Sequence, residues 1–146
     1  MTVFFCGHRQ VENSPSVSLW LEKAVCSLAE QGIVNFYLGG YGEFDHLAAR
    51  AVHRAKSTYP SIQSTLILAY LTSEADMSLY DSSLYPPLEN VPLRYAIPRR
   101  NRWAVDHADI VVACVRHSWG GAASTLGYAK RKKKIIIEYP QTFNLS

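Results

Sequence analysis

The chain has 146 residues, 48% hydrophobic and 18% charged, with fifteen Lys plus Arg against twelve Asp plus Glu for a net charge of +3. This length supports one domain with a full core, expected over residues 1–146, and the composition excludes a disordered chain. The net charge makes no case for nucleic acid, although nine of the fifteen basic residues lie between Arg99 and Lys134.

No apolar run approaches the roughly 18 residues of a membrane helix, so no membrane partner is expected. Met1 to Cys6 has neither a positive n-region nor a small-residue cleavage pattern, so it reads as a strand and not as a signal peptide. Cys6, Cys26 and Cys114 form no CxxC pair and no zinc pattern. Each sits in an apolar stretch, as buried free thiols in a reducing cytoplasm do.

The elements follow in chain order. Thr2 to Cys6 is a short β-branched and aromatic strand, broken by Gly7-His8-Arg9. Ser16 to Gln31 has a helical period in Val17, Trp20, Leu21, Ala24, Val25, Leu28 and Ala29. Ser14 or Ser16 can cap it, Pro15 suits its entry and Gly32 its end. Ile33 to Leu38 is the second strand, closed by Gly39-Gly40-Tyr41-Gly42, and Glu43 to Ser57 the second helix. Thr65 to Leu71 reads as a strand buried on both faces. From Thr72 to Ile97 the pattern lapses among prolines and tyrosines, a loop long enough to point to function. Pro98 to His107 is a third helix, Asp109 to Val115 a fourth strand, Ala122 to Arg131 a fourth helix and Lys134 to Tyr139 the last strand.

This alternation predicts an α/β fold: a Rossmann-like, doubly wound parallel sheet of about five strands, ordered 3-2-1-4-5, with helices on both faces. Ligands bind such sheets beyond the carboxyl ends of the strands, at the switch point between the first and fourth.

Four segments fall at or near those ends. Gly7-His8-Arg9 is either a plain turn or a tight turn presenting an Arg fork to a phosphate or carboxylate. Gly39-Gly40-Tyr41-Gly42 opens a helix and can bring backbone N–H groups to an anion. Glu43 and Asp45 behind it either favour the positive helix end, bind ribose hydroxyls, or act as acid or base. Gly120-Gly121-Ala122-Ala123-Ser124-Thr125 is a second glycine turn at a helix start, with hydroxyls in its first turn. Arg99-Arg100-Asn101-Arg102-Trp103 suits phosphate and base recognition, and equally an ordinary basic helix face. Lys130 to Lys134 closes a helix, where cations stabilise the negative end. His8, His46, His53, His107 and His117 make no HxxxH or HExxH motif. No metal is expected, and with no GxGxxG, P-loop or GxSxG motif no cofactor either.

Val3 to Arg9, Gly39 to Asp45, Tyr85-Pro86-Pro87-Leu88-Glu89, Arg99 to Trp103 and Gly120-Gly121-Ala122 together resemble the YpsA-like branch of the SLOG superfamily, in order and from Thr2 to about Ile137. That superfamily is Rossmann-like. It includes the Lonely Guy phosphoribohydrolases, the single-strand-binding DprA proteins, and domains held to sense nucleotide-derived signals in antiviral systems. The resemblance implies a nucleotide or ADP-ribose-like ligand at the glycine turns, and a homo-oligomer. The Lonely Guy pattern GGxGTxxE is met in its glycines by Gly39, Gly40 and Gly42, but Glu43 stands in place of its Thr and His46 in place of its catalytic Glu.

Three readings follow. The first is a protein that senses or sequesters a nucleotide-derived signal; encoded by a phage, it would sequester a host immune signal. Amides of Gly39 to Gly42 and Gly120 to Ala122 would hold phosphates, neutralised by Arg9 and Arg100. Glu43 or Asp45 would take ribose hydroxyls, and Tyr41 or Trp119 would stack on a base; Gly7, His8, Asn101 and Ser124 complete the expected site. The second is an N-glycosidase or phosphoribohydrolase, with Glu43, Asp45 and His8 as candidate acids or bases. The third, ranked last, is single-stranded nucleic acid binding through the basic cluster, with Trp103 and Trp119 stacking on bases.

Overall fold

The structure, a computed structural model, describes residues 1–71 and 75–140. Strand β1 (Thr2–Gly7) sends Val3 and Phe5 into one apolar cluster and Phe4 and Cys6 into another on the opposite face. This is the period of two of an extended chain, in a strand covered on both sides. Its parallel neighbour β5 (Ile110–Cys114) does the same: Ile110, Val112 and Cys114 join the first cluster, Val111 and Ala113 the second.

Strands β2 (Asn35–Leu38), β3 (Gln63–Ile67) and β4 (Ser82–Leu84) extend the sheet on one side, and β6 (Ile135–Glu138) on the other. The order is β4-β3-β2-β1-β5-β6, with every pairing parallel. Helices α1 (Ser14–Glu30) and α2 (Glu43–Ala55) pack together over the first cluster, and α3 (Ala96–Asp106) and α4 (Gly121–Arg131) over the second. Parallel pairing demands crossovers, and the helices supply them while covering both faces.

The five expected strands stand in the expected order, and a sixth, β4, is added at the edge beyond β3. Its sequence, Ser82-Ser83-Leu84, is too short and polar to carry a period. Asp81 fixes it: its carboxylate accepts the Ser64 N–H at 2.8 Å and pairs with Lys56. β3 starts two residues early and ends at Ile67, so Ala69 and Tyr70 bend away from the sheet. The expected loop over 72–97 therefore holds β4, a 3-10 turn at Leu93–Tyr95 and the start of α3; its residues 72–74 lie outside the described residues, as does the tail 141–146.

Neither serine caps α1. Asn13 stands at that position with φ 56° and no side-chain cap bond, while Ser14 Oγ donates to Glu43 Oε2 at 3.0 Å and Ser16 Oγ pairs with the Tyr139 hydroxyl at 2.7 Å. Cys6 and Cys114 are buried free thiols and Cys26 is half-buried. Among the described residues no helix is long and apolar enough to cross a membrane.

Candidate functional site

β1 leads to β2 on one side and has β5 on the other, so the switch point lies between β1 and β5. At its carboxyl end the loop after β1 is laced to the loop after β2. Glu43 N–H donates to Arg9 O at 2.8 Å and Phe44 N–H to His8 O at 3.4 Å. A Cβ on Gly7 would stand 2.2 Å from Phe44 Cγ, and one on Gly42, at φ +102°, 2.7 Å from Arg9 Cα. Glycine at both positions is what lets the loops touch. The same contact absorbs the first amides of α2. Tyr41 N–H is also taken, by Asp45 Oδ2 at 2.9 Å. Within the first glycine turn the Tyr41 amide is thereby occupied.

Asp45 is 8% exposed. Burial pushes its carboxyl up to about 6, against the opposing pull of the Tyr41 N–H and the Arg100 guanidinium. Arg100, from α3, is 3% exposed. Its Nη1 donates to Gly39 O at 2.7 Å and Ile67 O at 2.8 Å, tying together the ends of β2 and β3. Its Nε donates to Asn101 Oδ1 at 2.7 Å, which leaves the Asn101 amide nitrogen as that side chain's free donor. Burial lowers the Arg100 pKa and Asp45 raises it. Cys6 Sγ donates to Ala122 O at 3.3 Å, and burial, then Asp45, pushes this thiol well up, so it is inert.

The second glycine turn is different. Gly120 has φ +92°, α4 carries no side-chain cap, and the first intrahelical bond is Ser124 N–H to Gly120 O at 3.0 Å. The amides of Gly121, Ala122 and Ala123 precede that bond and remain for an anion. Beside them, His8 Nε2 accepts the Arg116 N–H at 2.9 Å and the His117 N–H at 3.4 Å. A nitrogen that accepts is unprotonated, and burial together with His117 lowers the His8 pKa. The His117 ring lies 4.6 Å from His8 and stacks on Trp119 at 4.4 Å.

Two cavities open along this edge. The smaller, about 300 Å3, sits at the switch point and is lined by Gly7, His8, Arg9, Asp45, Asn101, Gly121, Ala122 and Thr125, among others. The larger, about 520 Å3, lies over the ends of β2 and β3 and is lined by Gly39, Gly40, His46, Arg50, Tyr70 and Tyr80, among others. Tyr41, Ile97 and Arg100 line both, so the two form one groove. Arg9 lies over the Tyr41 ring, 4.3 Å from its centre.

Of the residues expected from sequence, Gly42, Glu43, Trp119, Gly120 and Ser124 line neither cavity. The Glu43 carboxylate is turned to the loop after β1, accepting Val11 N–H at 2.6 Å and the Ser14 hydroxyl. Trp119 is 68% exposed. His46, Arg50, Tyr70, Tyr80, Ile97 and Thr125 were missed. The spacing of His46 and Arg50 on one turn of α2, and the place of Tyr80 in the long loop, were the signals for three of them. No group of three or more His, Cys, Asp or Glu able to hold a metal occurs among the described residues.

The doubly wound parallel sheet, with two cavities along the carboxyl ends of its strands, defines a Rossmann-like α/β domain. No protein-family model matches the sequence, and no curated protein does. Solved structures do match. DNA processing protein A from Helicobacter pylori, described as binding single-stranded DNA, superposes with TM-score 0.71 at 17% identity, over 99% of this chain and 67% of its own. The same protein from Streptococcus pneumoniae gives TM-score 0.71 at 18% identity, with 99% of this chain covering 52% of that one, about half its length. The molybdenum cofactor binding protein from Rippkaea orientalis gives 0.68 at 18%, over 94% of this chain and 74% of its own. At these identities the likeness shows the fold alone, a Rossmann-like α/β fold.

Proposed function

We propose that this protein binds an anionic, nucleotide-derived small molecule, of the ADP-ribose or cyclic-nucleotide kind, in the groove at the switch point. The observation that carries this reading is the open amino end of α4 facing a donor-rich cavity. A phosphate there meets the amides of Gly121 and Ala122, with Arg9 and the Asn101 amide nitrogen alongside. Asp45 is the acceptor among these donors, and takes a ribose hydroxyl. Neighbours of the same fold described as binding single-stranded DNA or the molybdenum cofactor support ligand binding in general. A domain that binds without turnover senses or sequesters its ligand; an antiviral setting, on either the host or the phage side, rests on the sequence resemblance.

Calorimetry with ADP-ribose tests this, with Gly121→Asp as the variant, since a Cβ at the exposed Gly121 meets nothing within 4 Å. An acidic residue in the first turn of α4 suits the helix dipole, so the fold is kept while an anion is repelled. Binding that is lost in the variant supports the reading. Binding that survives unchanged sinks it.

A second reading is favoured by Asp45 alone. A carboxyl near 6 inside the cavity can accept a proton close to neutral pH. In N-glycoside hydrolysis water would attack the anomeric carbon, Asp45 would take its proton, and the C–N bond would break with its electrons leaving on the base. Release of free base by the wild type, abolished in Asp45→Asn with binding retained, is the result this reading requires. Nucleic acid binding ranks below both, because Lys130 is paired with Glu138 at 3.0 Å and Lys132 lies 3.9 Å from Asp106.

A further inference from the structure

The larger cavity has no role in phosphate or ribose binding, yet it is the bigger half of the groove. We infer that it is a subsite for a flat heteroaromatic ring whose edge carries hydrogen-bond acceptors, as a purine base does, and that the ligand's base lodges there and not on Trp119. This rests on the reading just proposed and extends it to the ligand's other end.

The floor is apolar, with Leu66, Leu68 and Leu79, and the walls are the tyrosines Tyr70 and Tyr80. Such a surface rewards the burial of a flat ring. Tyr70 is held in place, its hydroxyl donating to Leu93 O at 3.2 Å. Tyr80 is held differently: its hydroxyl makes no hydrogen bond among the described residues and points towards Gly40, 3.5 Å from where a Cβ there would stand. Burial, with Asp45 and Asp76 nearby, pushes its pKa up to about 12, so it stays a donor.

Arg50 supplies the second donor. It lines the cavity from α2 one turn after His46, and makes no ion pair among the described residues. A guanidinium and a hydroxyl, both without a partner among the described residues and lining one cavity with an apolar floor, fit the acceptor-bearing edge of a base. Gly40, at φ +67°, is required here as well, since a Cβ would stand 2.5 Å from Leu66 Cδ1, in the cavity floor. Trp119 offers less. It lines neither cavity, and one face of its ring is already stacked on His117. Tyr41 has Arg9 over its ring.

The test compares ADP-ribose with ribose 5-phosphate, which carries no base, by calorimetry on the intact chain. Ser78→Trp fills the larger cavity from its exposed rim, and Arg50→Ala removes a donor from an exposed helix face. ADP-ribose affinity is expected to fall roughly tenfold or more in Ser78→Trp and several-fold in Arg50→Ala, while ribose 5-phosphate is unaffected and Trp119→Ala alters neither. The inference is overturned if both cavity variants bind ADP-ribose like the wild type, or if Trp119→Ala causes the loss. If the wild type holds ribose 5-phosphate as tightly as ADP-ribose, the base has no subsite, and the phosphate reading stands without it. If the wild type binds neither, both fall together.

Discussion

Asp45 Oδ2 accepts the backbone N–H of Tyr41 at 2.9 Å. A carboxylate from the first turn of α2 therefore occupies an amide of the glycine turn that leads into that helix. The next amides, Glu43 N–H and Phe44 N–H, are given to the loop after β1. The anion site proposed above lies across the switch point at α4, and Asp45 lines the smaller cavity beside it.

Burying Asp45 makes stability depend on pH. The unfolded carboxyl titrates near 3.8 and the folded one near 6. Between those values the folded state holds the extra proton, so this group's contribution falls as pH rises through the window. Below it the carboxyl is neutral in both states; above it the burial of the charge costs on the order of 3 kcal/mol. The facing groups are Arg100, Tyr80 and Cys6, and the last two stay neutral throughout. Asp45→Asn is expected to flatten the fall in Tm between pH 4 and 6. A variant whose Tm tracks the wild type over that range would contradict the assignment.

His8 works in the opposite direction. Its folded pKa lies below 6.5, so the unfolded state binds the extra proton and His8's contribution is lost as pH falls below that value. Protonation of Nε2 would also eject the Arg116 and His117 amides. Nitrogen-detected NMR is expected to find His8 as the Nδ1–H tautomer at neutral pH. An Nε2–H tautomer would refute the loop geometry.

Glu43 is expected to matter for stability and not for binding. Its carboxylate holds Val11 N–H and the Ser14 hydroxyl, and lines neither cavity. Glu43→Ala should lower stability by about 1 kcal/mol in a denaturant titration and leave ligand affinity within twofold. A large loss of affinity would return Glu43 to the site.

Gly7→Ala is expected to destabilise by about 1–3 kcal/mol or more, because the new methyl would stand 2.2 Å from the ring of the fully buried Phe44. An unchanged unfolding midpoint would mean that the loops after β1 and β2 are not in contact.

The sheet was legible in the sequence because its central strands are short apolar runs between glycine turns and periodic helices, Val3 to Cys6 and Ile110 to Cys114 above all. The location of the groove followed from topology alone. The direction of each side chain did not. Glu43 and Asp45 are two residues apart at a helix start, and only the close approach of Arg9 to Gly42 decides that one faces the loop after β1 and the other the cavity. Strand β4 was illegible because Ser82-Ser83-Leu84 has no period, and it is set by Asp81 pairing with Lys56 and Ser64. The shape of the larger cavity depends on the same connection, which β4 anchors, although His46, Arg50 and Tyr80 left signals in the sequence.

The most direct test of ligand binding is mass spectrometry of small molecules released by heat from the purified protein after incubation with a nucleotide-rich cell extract. The proposed function predicts one intact nucleotide-derived molecule, at close to one per chain. Protein that releases nothing, or a free base and a ribose phosphate accumulating in the buffer, would contradict a binding role, and the second outcome would make Asp45→Asn the variant to assay for lost turnover.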